Sequence, residues 1–442
     1  MHLHKGPFLW LLEKELRELL ISRAWWLLLL LTGPLVGMSF ISAARTYAEI
    51  SGLNGAVGGV GEAMSPLIGV WGPTFSACEL IAVFLLPFVA IRVIGGDRRS
   101  GALKLELQHE LHPLVRVGAK ALVLLAAWLI VLLAPGVAIG LWAAQGGALY
   151  APEIGTIIAA HLLNAALTIA LAAAAASVAE HPSTAAIATL SVTVGTWIIS
   201  FFAAVQGGWW EVASGFTPSA MVADFQHGLV KLNVVLIAVS LVVAGLGLAA
   251  IWLRVGVDQK RRVLESLALA AAASVAIAAF VGLSQSWDTS ESRSNSFPAA
   301  DERVLRNLNG PLRIEIHLAA QDPRRLDVEQ KALSKLRRVL PRTEITYVAA
   351  TSTGLFEQSN EHYGEIFYFF GGRQAVSRAT SAEGVLEAVY DLAGVSASPD
   401  ADAEPFRGHP LARPPNGAAV TFYIVWPTLV LLGAFFAQRR RK

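Results

Sequence analysis

Cysteine and charge are both scarce in this chain. Of its 442 residues one is a cysteine, Cys78, and 15% are charged, whereas soluble domains average about 25% charged residues. A single cysteine excludes an intramolecular disulfide framework, a Cys-x-x-Cys redox pair and a thiolate zinc site. The net charge of +2 is too small to indicate nucleic-acid binding. With 54% hydrophobic residues, the composition predicts a membrane protein.

Motifs for nucleotide and metal chemistry are also missing. The sequence contains no G-x-x-x-x-G-K-[S/T] loop, so a P-loop cannot hold nucleotide phosphates in this chain. The tetrapeptide "HELH" at 109–112 places its two histidines three residues apart, whereas two zinc ligands on one helical face need a spacing of four. We therefore expect no metal site, no cofactor and no enzymatic activity in this chain.

Eight apolar runs of about 20 residues are each long enough to cross a hydrocarbon core of about 30 Å. They cover approximately residues 25–43, 74–95, 119–142, 156–178, 184–205, 232–253, 264–284 and 419–437. The first run follows a charged lead, so we interpret it as a retained span rather than a secretory signal. The sequence predicts an α-helical polytopic membrane protein.

The charged lead "FLWLLEKELRELLISR" has the pattern of an amphipathic helix. Its leucines at 9, 12, 16, 19 and 20 share one face, and the charged residues 13, 14, 17 and 18 share the other. Such a helix lies in the membrane interface, and the alternative is a cytosolic helix packed on protein. We assign Leu12, Leu16, Arg17 and Leu19 to this candidate interfacial helix.

The distribution of Lys and Arg predicts the orientation. These residues cluster before the first run, after the second, after the sixth and at the C-terminus, whereas the intervening short loops are nearly free of them. Positive charge favours the cytoplasmic side, so both termini are predicted to be cytoplasmic. Residues 285–417, between the seventh and eighth runs, are then extracytoplasmic.

The block 285–417 has the composition of a soluble domain that follows a polar stalk at 285–296. Helical and alternating patterns follow one another in the order α-β-α-β-β-β-α. This order predicts an inserted α/β domain that is thioredoxin-like, βαβ-ββα, in outline. The redox chemistry of thioredoxins is excluded, because no cysteine lies in the block.

Three polar residues within the predicted spans are candidates for a substrate pathway: Glu79, His161 and Asn164. A charge at mid-bilayer costs at least about 2.5–3.5 kcal/mol, so such groups usually have a function. For Glu79 the alternative is an interfacial carboxylate or an interhelical hydrogen bond. For His161 and Asn164, which share one face of the fourth run, the alternative is helix–helix hydrogen bonding.

A dense charged passage separates the second and third runs, "GGDRRSGALKLELQHELHPLVRVGAK". It predicts two short elements joined by a turn at Pro113, charged on one side and leucine-bearing on the other. Such a surface could bind a cytoplasmic protein, and the alternative is a solvated loop that follows the positive-inside pattern.

This passage, together with the amphipathic start, resembles the type-2 ABC transporter permeases. Their pattern runs G-E-x-x-x-G-T-L-E-L-L-L, then S-P-x-x-R, then G-K. The matching residues here are Gly96, Gly101, Leu103, Leu105, Leu107, Pro113, Arg116, Gly118 and Lys120. Asp97, Ala102 and Lys104 depart from the pattern. The resemblance implies a six-span permease core and a loop that couples to a separate ATPase subunit, which binds ATP and Mg²⁺.

A second resemblance rests on the stretch "SNSFPAADERVLRNLNGPLRIEIHLAAQDPRRLDVEQKALSKLRRVLPRTEITYV". Residues 264–437 around it are similar to the extracytoplasmic auxiliary component of gliding-motility-type ABC transporters. Together the two imply four parts. These are a permease core with its interfacial helix at 1–255, a seventh span at 256–284, an auxiliary α/β domain with linkers at 285–417, and an eighth span with a basic tail at 418–442.

We therefore expect a permease subunit in the bacterial inner membrane that forms a homodimer or pairs with another permease and binds an ABC ATPase. The expected coupling surface contains Asp97, Arg98, Arg99, Gly101, Leu103, Leu107, Pro113 and Arg116. The alternative is an envelope anchoring or assembly protein that transports nothing and whose external domain binds a partner.

Overall fold

Helices dominate the computed structural model of the chain. The structure describes residues 6–56, 65–100, 111–206, 209–308, 310–319, 322–340, 342–348, 362–395, 408–409 and 416–439. Within these residues, eight helices or helix pairs are long and apolar enough to span a membrane. They are Arg23–Ile50, Leu67–Gly96, Pro113–Ala144, Ala151–Val178, Pro182–Ser200, Leu232–Trp252, Gln259–Val281 and Ala418–Arg439. The predicted multi-span architecture is confirmed, although the third span begins six residues before its predicted start.

The helices of the membrane bundle are bounded as follows. In chain order they are α1 Pro7–Ile21, α2 Arg23–Ala56, α3 Gly72–Phe84, α4 Leu86–Ser100, α5 Pro113–Val131, α6 Leu133–Ala144, α7 Ala151–Val178, α8 Pro182–Gln206, α9 Trp209–Ser214, α10 Pro218–Gln226, α11 Leu232–Trp252 and α12 Gln259–Val281. The connection between α8 and α11 thus contains two short helices, α9 and α10.

Proline explains where two of the spans break. Proline lacks the N–H that would bond the carbonyl four residues earlier. Pro87 therefore leaves the Val83 carbonyl free close to the end of α3, and the Thr193 hydroxyl of α8 donates to that carbonyl at 3.1 Å. Pro135 acts in the same way on Val131, the residue at which α5 ends. At Val83 a neighbouring helix thus satisfies the carbonyl that proline leaves unbonded.

Two opposite ends of the bundle can be distinguished from contacts. Strand β1, Leu229–Lys231, pairs antiparallel with β2, Ser286–Asp288, so the start of the sixth span and the end of the seventh lie together. The stretch predicted as a polar stalk is therefore partly a strand of the bundle's end. Here the Glu153 carboxylate, at the start of α7, accepts the backbone N–H of Glu291 at 2.7 Å. We call this the domain end, because the block 285–417 joins the bundle here. We call that block the external block, since its described elements have a core separate from that of the bundle.

The opposite end, which we call the helix-α1 end, carries α1, the last turn of α4 at 97–100, residues 111–113 at the start of α5 and the connection between α11 and α12. In that connection Arg254 forms an ion pair with Glu265. The spans alternate between the two ends along the described chain, which places α1 on the same side as the end of α4 and the start of α5.

The eighth span packs against the first through close contacts at glycine. It consists of α17 Ala418–Val420, a π-helical turn Thr421–Val425 and α18 Trp426–Arg439. The Trp426 ring lies where a Cβ on Gly33 would be, 2.2 Å from that position, and the Phe422 side chain lies 2.4 Å from the equivalent position on Gly37. Small residues four apart let two membrane helices approach closely. Trp426 Nε1 also donates to the Leu29 carbonyl at 2.8 Å.

The external block contains a four-stranded sheet in the order β4-β3-β5-β6. Its elements are α13 Ala299–Arg306, β3 Leu312–Ile316, α14 Pro323–Val328, a π-helical turn Glu329–Leu333, α15 Ser334–Val339, β4 Thr343–Tyr347, β5 Ile366–Phe370, β6 Arg373–Ser377 and α16 Ala382–Ala393. Strand β3 is parallel to β4 and antiparallel to β5, which is antiparallel to β6. The described elements follow the predicted order α-β-α-β-β-β-α.

One face of this sheet forms the core of the block. Leu312, Ile314 and Ile316 of β3 are at most 1% exposed and pack against buried side chains of the helices, including Leu336 and Val389. The alternate residues, such as Arg313, point away from this core. Most of the predicted tether at 395–417 lies outside the described residues.

Candidate coupling surface and intramembrane cavity

The predicted coupling residues fall into three groups in the structure. Asp97, Arg98 and Arg99 belong to the last turn of α4, which ends at Ser100, and their side chains lie outside the description. Gly101, Leu103 and Leu107 lie outside the described residues altogether. Pro113 and Arg116 are placed by α5.

Pro113 is the first residue of α5, where its missing N–H costs nothing. His112 caps this helix, because its Nδ1 accepts the backbone N–H of Leu114 at 3.3 Å. Arg116, one turn later, is 8% exposed and so is part of the protein interior rather than a free surface charge. The predicted turn at Pro113 is therefore the start of the third span.

Helix α1 packs on α5 with one side and exposes the other. Leu11, Glu15 and Leu19 form the buried stripe, each at most 1% exposed. Leu12 is half-buried, whereas Leu16 is 44% exposed. Arg17 is exposed and pairs with Glu13 at 3.5 Å. The helix combines both interpretations of its sequence, because it contacts the protein on one side and presents apolar side chains outward on the other.

A buried ion pair joins α1 to the third span. Lys120 Nζ lies 2.6 Å from Glu15 Oε1, and the two side chains are 4% and 0% exposed. Lys120 also donates to the Val93 carbonyl of α4 at 3.3 Å. Lys14 contacts the same Glu15 oxygen at 3.0 Å. Burial of a carboxylate is tolerated when it is paired in this way. Lys120 thus links α1, α4 and α5 at the two helix ends that flank residues 101–112.

The sequence analysis missed Glu15 as a functional residue. Glu15 was assigned to neither the charged nor the apolar face of the predicted helix. Its spacing of four from both Leu11 and Leu19 was the available signal, since residues four apart share a helix face. Lys120 entered only through the family resemblance, although a lysine in the run "VGAKALVLLAAWL" is an unusual intramembrane charge.

An elongated cavity of about 410 Å³ lies inside the bundle. Helices α3, α7, α8, α10, α11 and α12 contribute to its wall. Its lining is mostly apolar, with a few polar side chains that include Glu79, Asn164 and Thr168. Volumes between about 300 and 1,000 Å³ are typical of small-molecule sites. The structure thus brings Glu79 and Asn164, two of the three candidate pathway residues, to one cavity.

His161 is buried outside the lining of this cavity. It is 0% exposed and lies against Phe75 of α3, with 5.4 Å between the ring centroids. Neither ring nitrogen has a hydrogen-bond partner among the described residues. His161 is therefore part of the packing between α3 and α7, one turn from Asn164.

The external block carries its own polar cluster where β3 ends and α14 begins. Asp322 caps α14 and accepts two side-chain hydrogen bonds from Arg324, at 3.1 and 2.8 Å. Tyr363 donates to the same carboxylate at 2.9 Å. Hydrogen bonding by Arg324 holds the pKa of Asp322 below its usual value of 3.8. The described residues contain no group of three or more His, Cys, Asp or Glu side chains that could hold a metal ion.

Comparison with protein-family models gives no match to this chain. Comparisons with curated proteins and with solved structures give none either. Any assignment of function must therefore rest on the geometry described above.

Proposed function

We propose that this chain is the membrane subunit of an ABC-type transporter and takes its energy from a separate ATPase subunit. The observation that carries the proposal is the buried Glu15–Lys120 pair. It fixes α1 to the two spans whose ends flank residues 101–112. A partner that pushed on α1 or on this segment would therefore move α4 and α5 directly.

The intramembrane cavity supports a transport role. Polar side chains that project into a cavity within the membrane are typical of substrate pathways. The cavity wall includes α3, and α3 is followed directly by α4, which ends at the proposed coupling surface. Movement of α4 would change the shape of the cavity, and a nucleotide-driven partner could thereby shift the bundle between two arrangements.

We assign the helix-α1 end to the cytoplasm of a bacterium and the domain end to the outside. The clusters of Lys and Arg beside the spans support this orientation in the inner membrane. We further propose that the external block is thioredoxin-like, because its parallel β3–β4 pair and antiparallel β5–β6 hairpin have the βαβ-ββα arrangement. A homodimer, or a pair of related subunits, would complete one pathway above two ATPases.

Isolation of the full chain from its native membrane tests the proposal. We expect an ATPase subunit to copurify and its hydrolysis rate to change when this chain is bound. Charge reversal by Arg98→Glu with Arg99→Glu should weaken that association. The matched control is Lys260→Glu with Arg261→Glu, which reverses two charges at the same end of the bundle but away from the coupling surface.

The two outcomes separate the proposal from its alternative. Equal copurification of both double variants would contradict the assigned coupling surface. Isolation without any ATPase, or with one whose hydrolysis is indifferent to this chain, would favour an anchoring or assembly protein.

A further inference from the structure

The charge of the intramembrane cavity limits what it can hold. Glu79 is the one ionisable side chain among the residues that line it, all of which lie in the described chain. Glu79 is half-buried and forms a hydrogen bond with the Ser219 side chain of α10. A carboxylate has about four acceptor positions on its two oxygens, so one hydroxyl donor leaves most of them available.

Other polar groups in the cavity already bond to the protein. Thr193 donates to the Val83 carbonyl at 3.1 Å, and Thr196 donates to the Thr193 carbonyl at 3.0 Å. Ser266 donates to the Arg262 carbonyl at 2.7 Å. These hydroxyl protons are used within the bundle. A donor group on a ligand would find its charged acceptor at Glu79.

The cavity is long and its lining is mostly apolar. Along α7 its lining extends from Asn164 to Ala174, which lie ten residue steps and so about 15 Å apart at about 1.5 Å per residue. From the level of Asn164 it continues towards the helix-α1 end between leucines of α11 and α12, including Leu248 and Leu269. Glu79 of α3 bonds Ser219, which belongs to α10 at the domain end, so the carboxyl group lies at the domain-end side of the cavity. The polar group therefore lies near one end of a narrow apolar space.

The cavity also reaches the outer surface of the bundle. Four of its lining residues are exposed: Phe216 just before α10, Val192 of α8, Leu241 of α11 and Ala270 of α12. Helix α8 packs on α4 and α7, whereas α11 packs on α7 and α12. The opening therefore lies between α8 and the α11–α12 pair, at membrane depth. A molecule with an apolar body can enter from the hydrocarbon phase by this route.

We propose that the cavity binds an elongated lipophilic monocation, with its positive group at Glu79 and its apolar body along α7 and α11. A buried carboxylate is stabilised by a cationic partner and destabilised by its removal, which gives the site a preference for positive charge. That this ligand is the transported molecule rests on the proposed function, whereas binding itself does not.

A fluorescent styrylpyridinium monocation, compared with its uncharged styrylpyridine analogue, tests this proposal on the full chain in lipid nanodiscs. We expect saturable binding of both probes, with the cation bound at least about 10-fold more tightly. Glu79→Gln should reduce cation binding to the level of the neutral probe and leave neutral binding unchanged, which also shows that the variant is folded. Ala244→Phe, which fills the cavity, should weaken both probes.

Glu49→Gln is the matched control, because Glu49 is an exposed carboxylate on α2 outside the cavity. It should change neither affinity. The proposal is overturned by an absence of saturable cation binding, by equal affinities for the two probes, or by a Glu79→Gln variant that binds the cation like the wild type. Glu79-dependent binding without a coupled ATPase would overturn only the transport proposal, and a coupled ATPase without such binding would overturn only the ligand class.

Discussion

The buried pair between Glu15 and Lys120 makes a quantitative prediction about helix α1. Lys120→Met removes the cation and leaves Glu15 buried with Lys14 as its one ion-pair partner among the described residues. Glu15→Gln removes the anion that pairs with Lys120, whose ammonium keeps its hydrogen bond to the Val93 carbonyl. Loss of one partner from a buried pair costs about 3–5 kcal/mol. Either change should therefore loosen α1 from α5.

The double variant Glu15→Leu with Lys120→Met behaves differently. It replaces both charges with apolar side chains, and such replacements range from neutral to about 1–4 kcal/mol stabilising. The leucine would continue the apolar stripe formed by Leu11 and Leu19. We therefore expect the double variant to hold α1 at least as firmly as the wild type, and the cycle of variants to be strongly non-additive.

Hydrogen exchange of the α1 amides, measured on the full chain in nanodiscs, reports this docking directly. Since each 1.4 kcal/mol corresponds to a factor of ten, a loss of about 3 kcal/mol raises exchange by about 100-fold. Glu18→Gln is the control on the same helix, because Glu18 is 46% exposed and its pair with Lys14 is worth about 0–1 kcal/mol. It should change exchange by a few-fold at most.

Two results would refute this account of the pair. One is a single variant whose α1 amides exchange at the wild-type rate. The other is a double variant that exchanges as fast as the worse single variant, since the charges would then contribute something that apolar packing cannot replace. In the presence of a copurified ATPase, the double variant should also keep its coupling, because the proposal depends on a firm link and not on charge itself.

Two further predictions concern the rest of the chain. Gly33→Leu should separate the eighth span from the first, because any side chain there overlaps the Trp426 ring. Protease release of the C-terminal segment should therefore increase. Gly140→Leu, at a position with nothing nearby, should leave that release unchanged. The external block should lose stability as the pH falls below about 4, because Arg324 lowers the folded-state pKa of Asp322. The stabilisation is complete above the unfolded-state pKa of 3.8 and disappears as the carboxylate of the folded protein is protonated. Hydrogen exchange of the block's amides, measured against pH, reports this loss, and Asp322→Asn should flatten that part of the profile. An unchanged profile would contradict the role of this carboxylate.

Hydrophobic run length was sufficient to predict the eight spans, because a helix satisfies nearly all of its backbone polar groups itself and about 20 apolar residues in a helix cross the hydrocarbon core. The order of elements in the external block also followed from local pattern. The alternating pattern of "LRIEI" predicts its strand, and the cap and periodicity of "AEGVLEAVYDLA" predict its helix, each from a few neighbouring residues. Side-chain periodicity is a short-range property, so a linear sequence records it completely.

The contacts between distant segments were decided only by the tertiary structure. Lys120 lies 105 residues from Glu15, and Trp426 bonds a carbonyl 397 residues away. Glu79 and Asn164 were visible as polar residues in apolar runs, but that they share one cavity depends on how α3 and α7 pack. A charged side chain inside a span can be recognised from the local sequence as a group whose burial in the membrane costs free energy. Which group offsets that cost depends on helix packing, and packing is fixed by the fit of whole surfaces rather than by any short stretch of residues.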